Sequence, residues 1–438
     1  MGSADRNPIY NLKAVVRETG VRPETLRAWE RRYGLPRPSR TPGGHRLYSR
    51  RDIEIIRWIL DRQAEGLSVG QAVALWRALE AEGKDPLRER SSPSRTPLAV
   101  GSLEELRDRW VEACLRFSET EAEVILAQAM ALYPPEQVFL ELIGPAMEMI
   151  GDLWYRGKAT VQQEHFASAL TACCLNARIA ALPPPTGSQR LIVGCPPREL
   201  HALPALLLVF LLRQRGWPLI YLGPDVPLAR LEEALREIRP HLVVMTAQML
   251  ETAATLADVA EFLCLQGVPL AYGGRIFQEA PSTRRHLLGF YLGDNWAHCP
   301  ERIANLLADP HWGPEGAPLP APFREALAWW RDRWPSMEVS LRQDWEAGAA
   351  GAEASEGLGA LGRAIEAALR LGDPTLLHAE LAWIRGLLLH YGYPLSSLAH
   401  MLRATAGRIR AHGPLPSPVE GVLAVLDAEA RSLTNVLE

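Results

Sequence analysis

Glu199 and His201 are the residues of this sequence whose types and spacing best suit metal binding. They follow a short apolar run, Leu191–Val193, which predicts a buried strand, and precede a longer one, Leu203–Leu212, of helical length. In an α/β fold this position lies at the carboxyl edge of the sheet, where such folds bind ligands. An imidazole there can coordinate a metal while a nearby carboxylate fixes its tautomer. The alternative is a loop histidine that hydrogen-bonds only to backbone.

The elements that must position this pair alternate between strand and helix over residues 187–309. The predicted strands are Leu191–Val193, Leu219–Leu222, Leu242–Ala247, Pro269–Tyr272 and Tyr291–Gly293, and the predicted helices are Ala205–Arg215, Leu228–Ile238 and Glu251–Gln266. Such alternation predicts a doubly wound parallel α/β domain. Glu199 and His201 would then lie where the strands end.

Helical patterns precede this domain. Residues 101–186 carry patterns at 102–117, 119–133, 135–155 and 160–182. Four helices of this length with short breaks between them predict a four-helix bundle.

Helical patterns also follow it. A linker and a Trp-rich helix are predicted over 310–358, with a loose Ala- and Gly-rich end at 347–357. A C-terminal helical domain is predicted over 359–438, from patterns at 359–371, 374–391, 395–412 and 417–436. Its histidines, His378, His390, His400 and His412, are interpreted as helix-surface residues rather than haem or metal ligands. Our default interpretation of this domain is an interaction or dimerisation module.

The charge distribution singles out the amino-terminal region. The net charge is −4, yet Ile9–Arg62 contains 13 Lys and Arg against 6 Asp and Glu, a net of +7. A basic head on an acidic body indicates contact with nucleic acid. Here a helix, a glycine turn at Gly20 and a second helix beginning near Pro23 predict a helix-turn-helix.

A tight hairpin at Gly43-Gly44 follows these helices, and the groups that flank it can bind phosphates: Arg40, His45, Arg46 and Tyr48. The run LRAWERRYGLPRPSRTPGGHRLYS closely resembles the winged-helix head of the MerR family of transcription regulators. The resemblance predicts a DNA-binding domain over 8–83 and a linker over 84–100. It implies that Arg27 and Arg31 face the groove or the DNA backbone, and that Arg40, Arg46 and Tyr48 hold the DNA. MerR proteins bind palindromic sites as dimers, so a double-stranded DNA operator and a homo-oligomer, a dimer or tetramer, are expected.

A second resemblance concerns the bundle. Trp154 is followed after nine residues by Glu164-His165. This spacing resembles the helical cap of the light-responsive, cobalamin-dependent repressors of carotenoid genes, a subgroup of MerR. It implies that Trp154 lies over an upper axial 5′-deoxyadenosyl group, that Glu164 hydrogen-bonds this group and that His165 shapes the pocket. A core tryptophan beside a surface Glu–His pair is the alternative.

The same resemblance extends to the α/β domain. It makes His201 the lower ligand of the cobalt of cobalamin, with Glu199 as the acidic member of an acid-x-His element. It matches Tyr221–Asp225 to a second loop, places Thr246 beside the buried nucleotide tail, and lets backbone at Gly273 and Gly274 approach that tail. The implied cofactor is cobalamin, in the first place adenosylcobalamin.

Three positions depart from that subgroup. Tyr155 stands where it has a histidine that takes the upper cobalt position after light has expelled the adenosyl group, and a phenol is a poorer ligand at neutral pH. Pro204 replaces a glycine near the tail, and Gln248 replaces an aliphatic residue. The resemblance therefore supports cobalamin binding better than it supports that photoproduct.

The remaining composition narrows the class of protein. The six cysteines contain no CxxC pair, which favours free thiols in a cytoplasmic protein over a structural zinc site. No apolar run reaches 18 residues and the amino terminus has no apolar signal core, so no membrane partner is expected.

We therefore predict a DNA-binding transcription regulator, not an enzyme, that senses cobalamin and changes its oligomeric state and DNA affinity. One alternative is a regulator with a degenerate pocket that acts through another chromophore or a protein partner. A corrinoid carrier for methyl transfer is another, although such a carrier has no use for a basic winged head.

Overall fold

The structure, a computed structural model, describes residues 8–41, 43–64, 69–81, 87, 102–309, 313–346 and 352–437. It divides into two compact units, residues 1–100 and residues 101–438. Apart from Leu87, the predicted linker 84–100 lies outside the described residues. No helix in the described parts of the chain is long and apolar enough to cross a membrane.

The first unit is a winged helix-turn-helix, as predicted. Its elements are β1 (Tyr10–Asn11), α1 (Leu12–Thr19), α2 (Pro23–Tyr33), β2 (Ser39–Arg40), β3 (Arg46–Tyr48), α3 (Arg50–Ala64) and α4 (Val69–Ala81). The strands form an antiparallel sheet in the order β1-β3-β2, with the hairpin of β2 and β3 as the wing. Helix α2 ends at Gly34, whose left-handed φ of 67° suits a residue without a side chain.

The second unit begins with the predicted helical bundle. Its helices are α5 (Leu103–Leu115), α6 (Glu119–Leu132), α7 (Gly144–Tyr155) and α8 (Val161–Ala180). A short α-helical turn, Pro135–Gln137, and a π-helical segment, Val138–Ile143, lead into α7. Thr160 starts α8 with a capping box that it shares with Gln163.

A doubly wound parallel sheet follows, which confirms the predicted α/β class. Its strands are β4 (Leu191–Gly194), β5 (Leu219–Gly223), β6 (Leu242–Thr246), β7 (Leu270–Gly273) and β8 (Phe290–Tyr291), in the order β5-β4-β6-β7-β8. Its helices are α9 (Leu203–Gln214), α10 (Leu231–Ile238), α11 (Leu250–Leu265), α12 (Arg275–Glu279) and α13 (Cys299–Ala308). Every strand pair is parallel, so the loops after β4, β6 and β7 meet at one edge.

Alternate residues of the strands pack on opposite faces of the sheet. Val193 and Val244 lie on one face with α9 and α13, whereas Val243 and Met245 lie on the other with α10 and α11. Helix α9 is apolar on nearly every side, as expected for a helix buried on all sides. One side of α9 packs against the sheet and the other packs against the bundle. On the bundle side, the Phe210 ring makes an edge-on contact with an aromatic ring of the bundle.

The C-terminal helices cover the α10–α11 side. They are α14 (Ala321–Glu346), α15 (Ala352–Arg370), α16 (Leu376–His390), α17 (Leu395–Ala411) and α18 (Ser417–Leu437). Buried residues of α15, such as Leu361 and Ile365, belong to the same apolar core as Ala253 and Ala257 of α11. The loose segment predicted over 347–357 is wrong from Ala352 onward, because α15 begins there; residues 347–351 lie outside the described residues.

Candidate functional site

Glu199 and His201 form a fixed pair in the loop between β4 and α9. Glu199 is completely buried, and its Oε1 accepts hydrogen bonds from the His201 Nδ1 at 2.6 Å and from the His201 main-chain N–H at 2.9 Å. Its Oε2 accepts from the Thr252 hydroxyl and the Gln248 main-chain N–H, both at 2.6 Å. With the proton on Nδ1, the Nε2 lone pair of His201 is left for a metal.

The electrostatics of the pair keep Glu199 ionised. Burial is the largest influence and raises the pKa of Glu199, but the hydrogen bonds from His201, Thr252 and the main chain together lower it below its ordinary value. The Glu199 carboxylate in turn raises the pKa of His201, although burial and the Arg275 guanidinium oppose this. The side chain of His201 remains 55% exposed, so a ligand can reach it from solvent.

The loop that carries the pair is braced by the loop after β5 and by helix α11. Arg198 has a left-handed φ of 67°, and its main-chain N–H donates to the Asp225 carboxylate at 2.7 Å. The Asp225 main-chain N–H donates to the Glu199 carbonyl at 3.0 Å, and the Thr255 hydroxyl donates to the Pro197 carbonyl at 2.8 Å. The predicted second loop, which ends at Asp225, therefore supports the first. A non-glycine residue in this backbone region is characteristic of functional loops.

The other residues predicted at this edge lie at the ends of β6 and β7. Thr246 is fully buried at the end of β6, with its hydroxyl 3.8 Å from the Sγ of Cys195. Burial raises the pKa of Cys195 to about 11, so this sulfur is a neutral thiol. A side chain at Gly273 would meet nothing within 4 Å, whereas one at Gly274, which has a φ of 129°, would overlap the Ala247 carbonyl oxygen.

The predicted residues of the bundle lie at the end of α7 and near the start of α8. Glu164, near the start of α8, accepts hydrogen bonds from the Ser168 hydroxyl at 2.6 Å and from the His165 Nδ1 at 2.8 Å. The Glu164 carboxylate lies close enough to contribute to the raised pKa of His201. Trp154, at the end of α7, is half-buried, and His165 is exposed. The structure thus brings the Glu164 carboxylate of the bundle into electrostatic range of His201 in the α/β domain.

Tyr155 has partners that sequence reasoning missed. Its ring stacks on Trp383 of α16, with ring centroids 5.9 Å apart, and its hydroxyl donates to the Trp383 carbonyl at 3.3 Å. The Tyr391 hydroxyl donates to the Trp154 carbonyl at 3.0 Å. Trp383 lies in a predicted helix, but nothing in a helical pattern indicates a contact with a residue 228 positions away.

Comparisons with known proteins find similarity in the head, in the bundle and over two thirds of the chain. A model of the MerR HTH family of regulatory proteins matches residues 10–79, and a model of the B12 binding domain matches residues 106–178, within the bundle. Over 301 residues the chain is 31% identical to the HTH-type transcriptional repressor CarA of Myxococcus xanthus, an alignment that covers 67% of this chain and 95% of CarA. The chain belongs to the CarA family of MerR-type transcriptional regulators.

A second repressor and a solved structure match at lower identity. The HTH-type transcriptional repressor CarH of Myxococcus xanthus is 29% identical over 269 residues, which cover 60% of this chain and 88% of CarH. The solved structure of the Methanosarcina barkeri monomethylamine corrinoid protein aligns with 47% of this chain and 99% of its own, at 16% identity and a TM-score of 0.40. The predicted MerR-type head and B12-binding module are confirmed by the two family models, and the predicted family of transcription regulators by the CarA match.

The side chains and the open space at this edge are compatible with a cobalamin. In the described parts of the chain, no three His, Cys, Asp or Glu side chains cluster to hold a metal ion. A single presented imidazole such as that of His201 suits a metal that brings its other ligands with it, as the cobalt of a corrin ring does. The open space beside Gly273 suits a nucleotide tail, and Pro204 stands in the first turn of α9, where a missing N–H costs nothing.

The DNA-binding head presents most of its predicted residues to solvent. Arg27 and Arg31, four residues apart on α2, are exposed on the side away from the buried Trp29. Arg40 and His45 of the wing are exposed too. These positions leave the four side chains free of the core, as their predicted role in DNA binding requires.

Arg46 and Tyr48 differ from the other head residues. The Arg46 Nε donates to Glu30 at 2.6 Å, and this ion pair ties the wing to α2. Tyr48 is only 1% exposed and belongs to the core of the head, where burial raises its pKa. A side chain that is buried in this way cannot contact DNA, so the prediction of a DNA contact for Tyr48 is replaced by one of core packing.

Proposed function

We propose that this regulator binds a cobalamin between the bundle and the carboxyl edge of the sheet, and that the state of the bound cobalamin sets the affinity of the head for DNA. The observation that carries the proposal is His201. Its Nδ1 is held by a fully buried carboxylate while the rest of the ring is open to solvent. This arrangement orients the imidazole and leaves its Nε2 available to bind a metal.

The residues of the lower side hold and shape the site. His201 binds the cobalt, and Glu199 keeps the proton on Nδ1 so that Nε2 stays a ligand. Thr246 lines the groove for the nucleotide tail, and Gly273 and Gly274 leave that groove open. When bound, a cobalamin would supply an exchangeable ligand position on its cobalt and, in its alkyl form, a Co–C bond that light can break.

The residues of the upper side select the upper group. We infer that the preferred form is adenosylcobalamin, with Trp154 covering the adenosyl group, Glu164 hydrogen-bonding it, and Tyr155 and His165 shaping the pocket. The support is the spacing of Trp154 and Glu164 in the sequence, together with the electrostatic influence of the Glu164 carboxylate on His201.

Reconstitution tests the ligand assignment. The full-length protein is mixed with adenosylcobalamin in the dark and gel-filtered, and its visible spectrum is recorded before and after illumination. We expect one cobalamin per chain and a spectral change on illumination. His201→Ala should lose the spectrum of the histidine-ligated cofactor.

His241→Ala is the matched control. His241 is an exposed histidine that precedes β6, at the opposite edge of the same sheet, and this variant should bind as the wild type does. No stoichiometric cobalamin on the wild type, or equal spectra for the two variants, would contradict the assignment.

DNA binding tests the output. We propose that the chain binds its operator as a homo-oligomer of two or four copies and that cobalamin shifts the equilibrium between assemblies; a ligand shifts such an equilibrium only through a difference in affinity. Sedimentation of the wild type with and without cobalamin should show different assemblies. Arg31→Ala should weaken binding to a DNA fragment selected from a random pool and reduce the salt slope by about 1. Tyr48→Phe, with its ring still in the core, should leave both unchanged.

A further inference from the structure

The C-terminal domain is firmly attached to the α/β domain. Helix α15 packs along α11, and the two share one apolar core. At the end of α15, the Arg370 guanidinium, only 4% exposed, pairs with Asp258 at 2.6 Å and with Glu261 at 2.8 Å. A buried, doubly paired arginine joined to a continuous core fixes the position of the C-terminal domain relative to the sheet.

The same interface reaches the loop that carries the cobalt ligand. Glu251, in the first turn of α11, accepts hydrogen bonds from Arg363 of α15 at 2.9 Å and from Arg198 at 2.8 Å. Arg198 directly precedes Glu199 in the chain. The C-terminal domain therefore lies two ion pairs away from the residue that orients His201.

Helix α16 crosses from the α/β domain to the bundle. Burial and the nearby Glu251 carboxylate raise the pKa of Glu380, and the Arg275 guanidinium opposes them. Leu377 and Leu381 of α16 are buried in the apolar core that the C-terminal helices share with α11, so this part of α16 packs against the α/β domain. One turn after Glu380, Trp383 reaches the bundle.

The contact of α16 with the bundle falls on the residues that cover the cleft. The Trp383 ring stacks on Tyr155 at an interplanar angle of 18° and lies 6.4 Å from the Trp154 ring. The hydroxyl of Tyr155 donates to the Trp383 carbonyl, and that of Tyr391 donates to the Trp154 carbonyl. Both residues at the end of α7 are thus held by α16 and the residue after it.

A glycine makes this approach possible. A side chain at Gly386, inside α16, would overlap the hydroxyl of Tyr155. A side chain at Gly157, just beyond α7, would lie 3.2 Å from the His390 carbonyl oxygen. Glycine is unfavourable in the interior of a helix, so its presence at 386 marks a close approach.

We propose that the C-terminal domain completes the cobalamin site: α16 is a positioning element that holds Trp154 and Tyr155 over the cleft through Trp383 and Tyr391. The proposal rests on the proposed function, because it assigns the third wall of the same cleft. Helix α15 supplies the fixed anchor. The α16 contact is smaller and more open, since Trp383 is still 37% exposed, and it transmits the position of the upper face to the C-terminal domain.

Access to the upper face of the cofactor tests this assignment. Full-length protein is loaded with hydroxocobalamin and mixed with about one equivalent of cyanide, which replaces the upper ligand and changes the visible spectrum. Trp383→Ala should accelerate this exchange, by about 10-fold if the effect matches the lower end of what loss of a supporting residue does to affinity at metal sites, without changing the spectrum that reports His201. Trp383→Phe should restore most of the wild-type rate, because a phenyl ring can still stack on Tyr155.

Two more variants complete the experiment. Trp329→Ala is the matched control, because the ring contacts of Trp329 are with Arg333 and His412 of its own domain. It should exchange at the wild-type rate. Tyr391→Phe removes only the hydroxyl that holds the Trp154 carbonyl and should accelerate exchange by a smaller factor.

The outcomes separate the two proposals. If the wild type does not take up hydroxocobalamin, the proposed function fails. If it does and Trp383→Ala exchanges at the rate of Trp329→Ala, the positioning role of α16 is overturned and the proposed function stands. If circular dichroism shows that Trp383→Ala does not fold, Tyr391→Phe decides: a wild-type rate in that variant overturns the role of α16.

Discussion

The proposed lower and upper sides of the cobalamin site are held by different physical means. Below, Glu199 is 0% exposed and accepts four hydrogen bonds, one of which fixes the His201 ring. Above, Trp154 and Tyr155 are half-buried and their partners lie on another domain, while His165 is 75% exposed. A buried network holds one geometry, because each partner that it loses leaves a buried polar group unpaired. A half-open aromatic contact shifts at lower cost. We infer that the lower side fixes where cobalamin binds and that the upper side responds to its state.

Removing the buried carboxylate should break this comparison most strongly. In Glu199→Ala four donors lose their acceptor, and breaking a buried charged network costs about 3–5 kcal/mol. We expect the free energy of unfolding in urea to fall by about that amount, and the affinity for cobalamin to fall about 10–100-fold. Glu164→Ala, on the upper side, should cost less than about 1 kcal/mol. Equal losses in the two variants would show that the two sides are held alike.

Alanine substitutions at the adjacent glycines Gly273 and Gly274 should have different effects on the stability of the protein and on its affinity for cobalamin. Gly274→Ala places a side chain onto the Ala247 carbonyl and forces a φ of 129° on alanine, so it should cost at least about 1–3 kcal/mol. Gly273→Ala meets nothing within 4 Å and should leave thermal unfolding unchanged. It should nevertheless weaken cobalamin binding in a titration, because its methyl group projects into the open groove. Unchanged binding in Gly273→Ala would rule out this groove for the nucleotide tail.

A methyl group between α16 and α7 should loosen the upper side alone. Gly386→Ala displaces Tyr155, and amide hydrogen exchange over 383–391 should become faster while exchange in α15 stays as it was. Gly407→Ala is the matched control: it lies inside α17, and a side chain there meets nothing within 4 Å. That variant should gain up to about 1 kcal/mol from helix propensity and leave exchange in α16 unchanged. Slow exchange of α16 in Gly386→Ala would refute the close fit.

The smallest expected effect concerns one hydrogen bond to the upper group. Glu164→Gln keeps the size of the side chain and should weaken adenosylcobalamin binding by a few-fold, in keeping with about 0.5–1.5 kcal/mol for a single hydrogen bond. Hydroxocobalamin, which lacks the adenosyl group, should bind the variant and the wild type equally. A parallel loss for both cobalamins would assign Glu164 a structural role.

The sequence predicted the sheet well because its strands are short apolar runs bounded by glycine and proline. The predicted helices agree less well with the structure where local backbone geometry determines where a helix begins or which type of helix forms. The helix predicted from Leu228 begins at Leu231, because Arg230 takes a left-handed φ of 64°. The single helix predicted over 135–155 contains a π-helical segment, which the apolar pattern does not reveal.

The candidate site was predictable where chain order brings residues together. Parallel strands end at one edge, so Glu199, His201 and Thr246 could be placed there from sequence. The hydrogen bond from the Gln248 main-chain N–H to Glu199 could not be predicted from sequence, because any residue at that position offers the same donor. Tyr48 was misjudged because a wing tyrosine fits both a DNA contact and a core, and only burial separates the two.

The two-sided helix α9 has a consequence for the order in which the chain becomes compact during synthesis. The bundle residues leave the ribosome first, yet their core includes Leu206, Phe210 and Leu211 of α9 and cannot close until that helix has emerged. The α11 side of the sheet waits in the same way for α15. No shorter part of the second unit can therefore close its apolar core by itself. A chain shortened before α15 would expose an apolar surface that the complete protein buries.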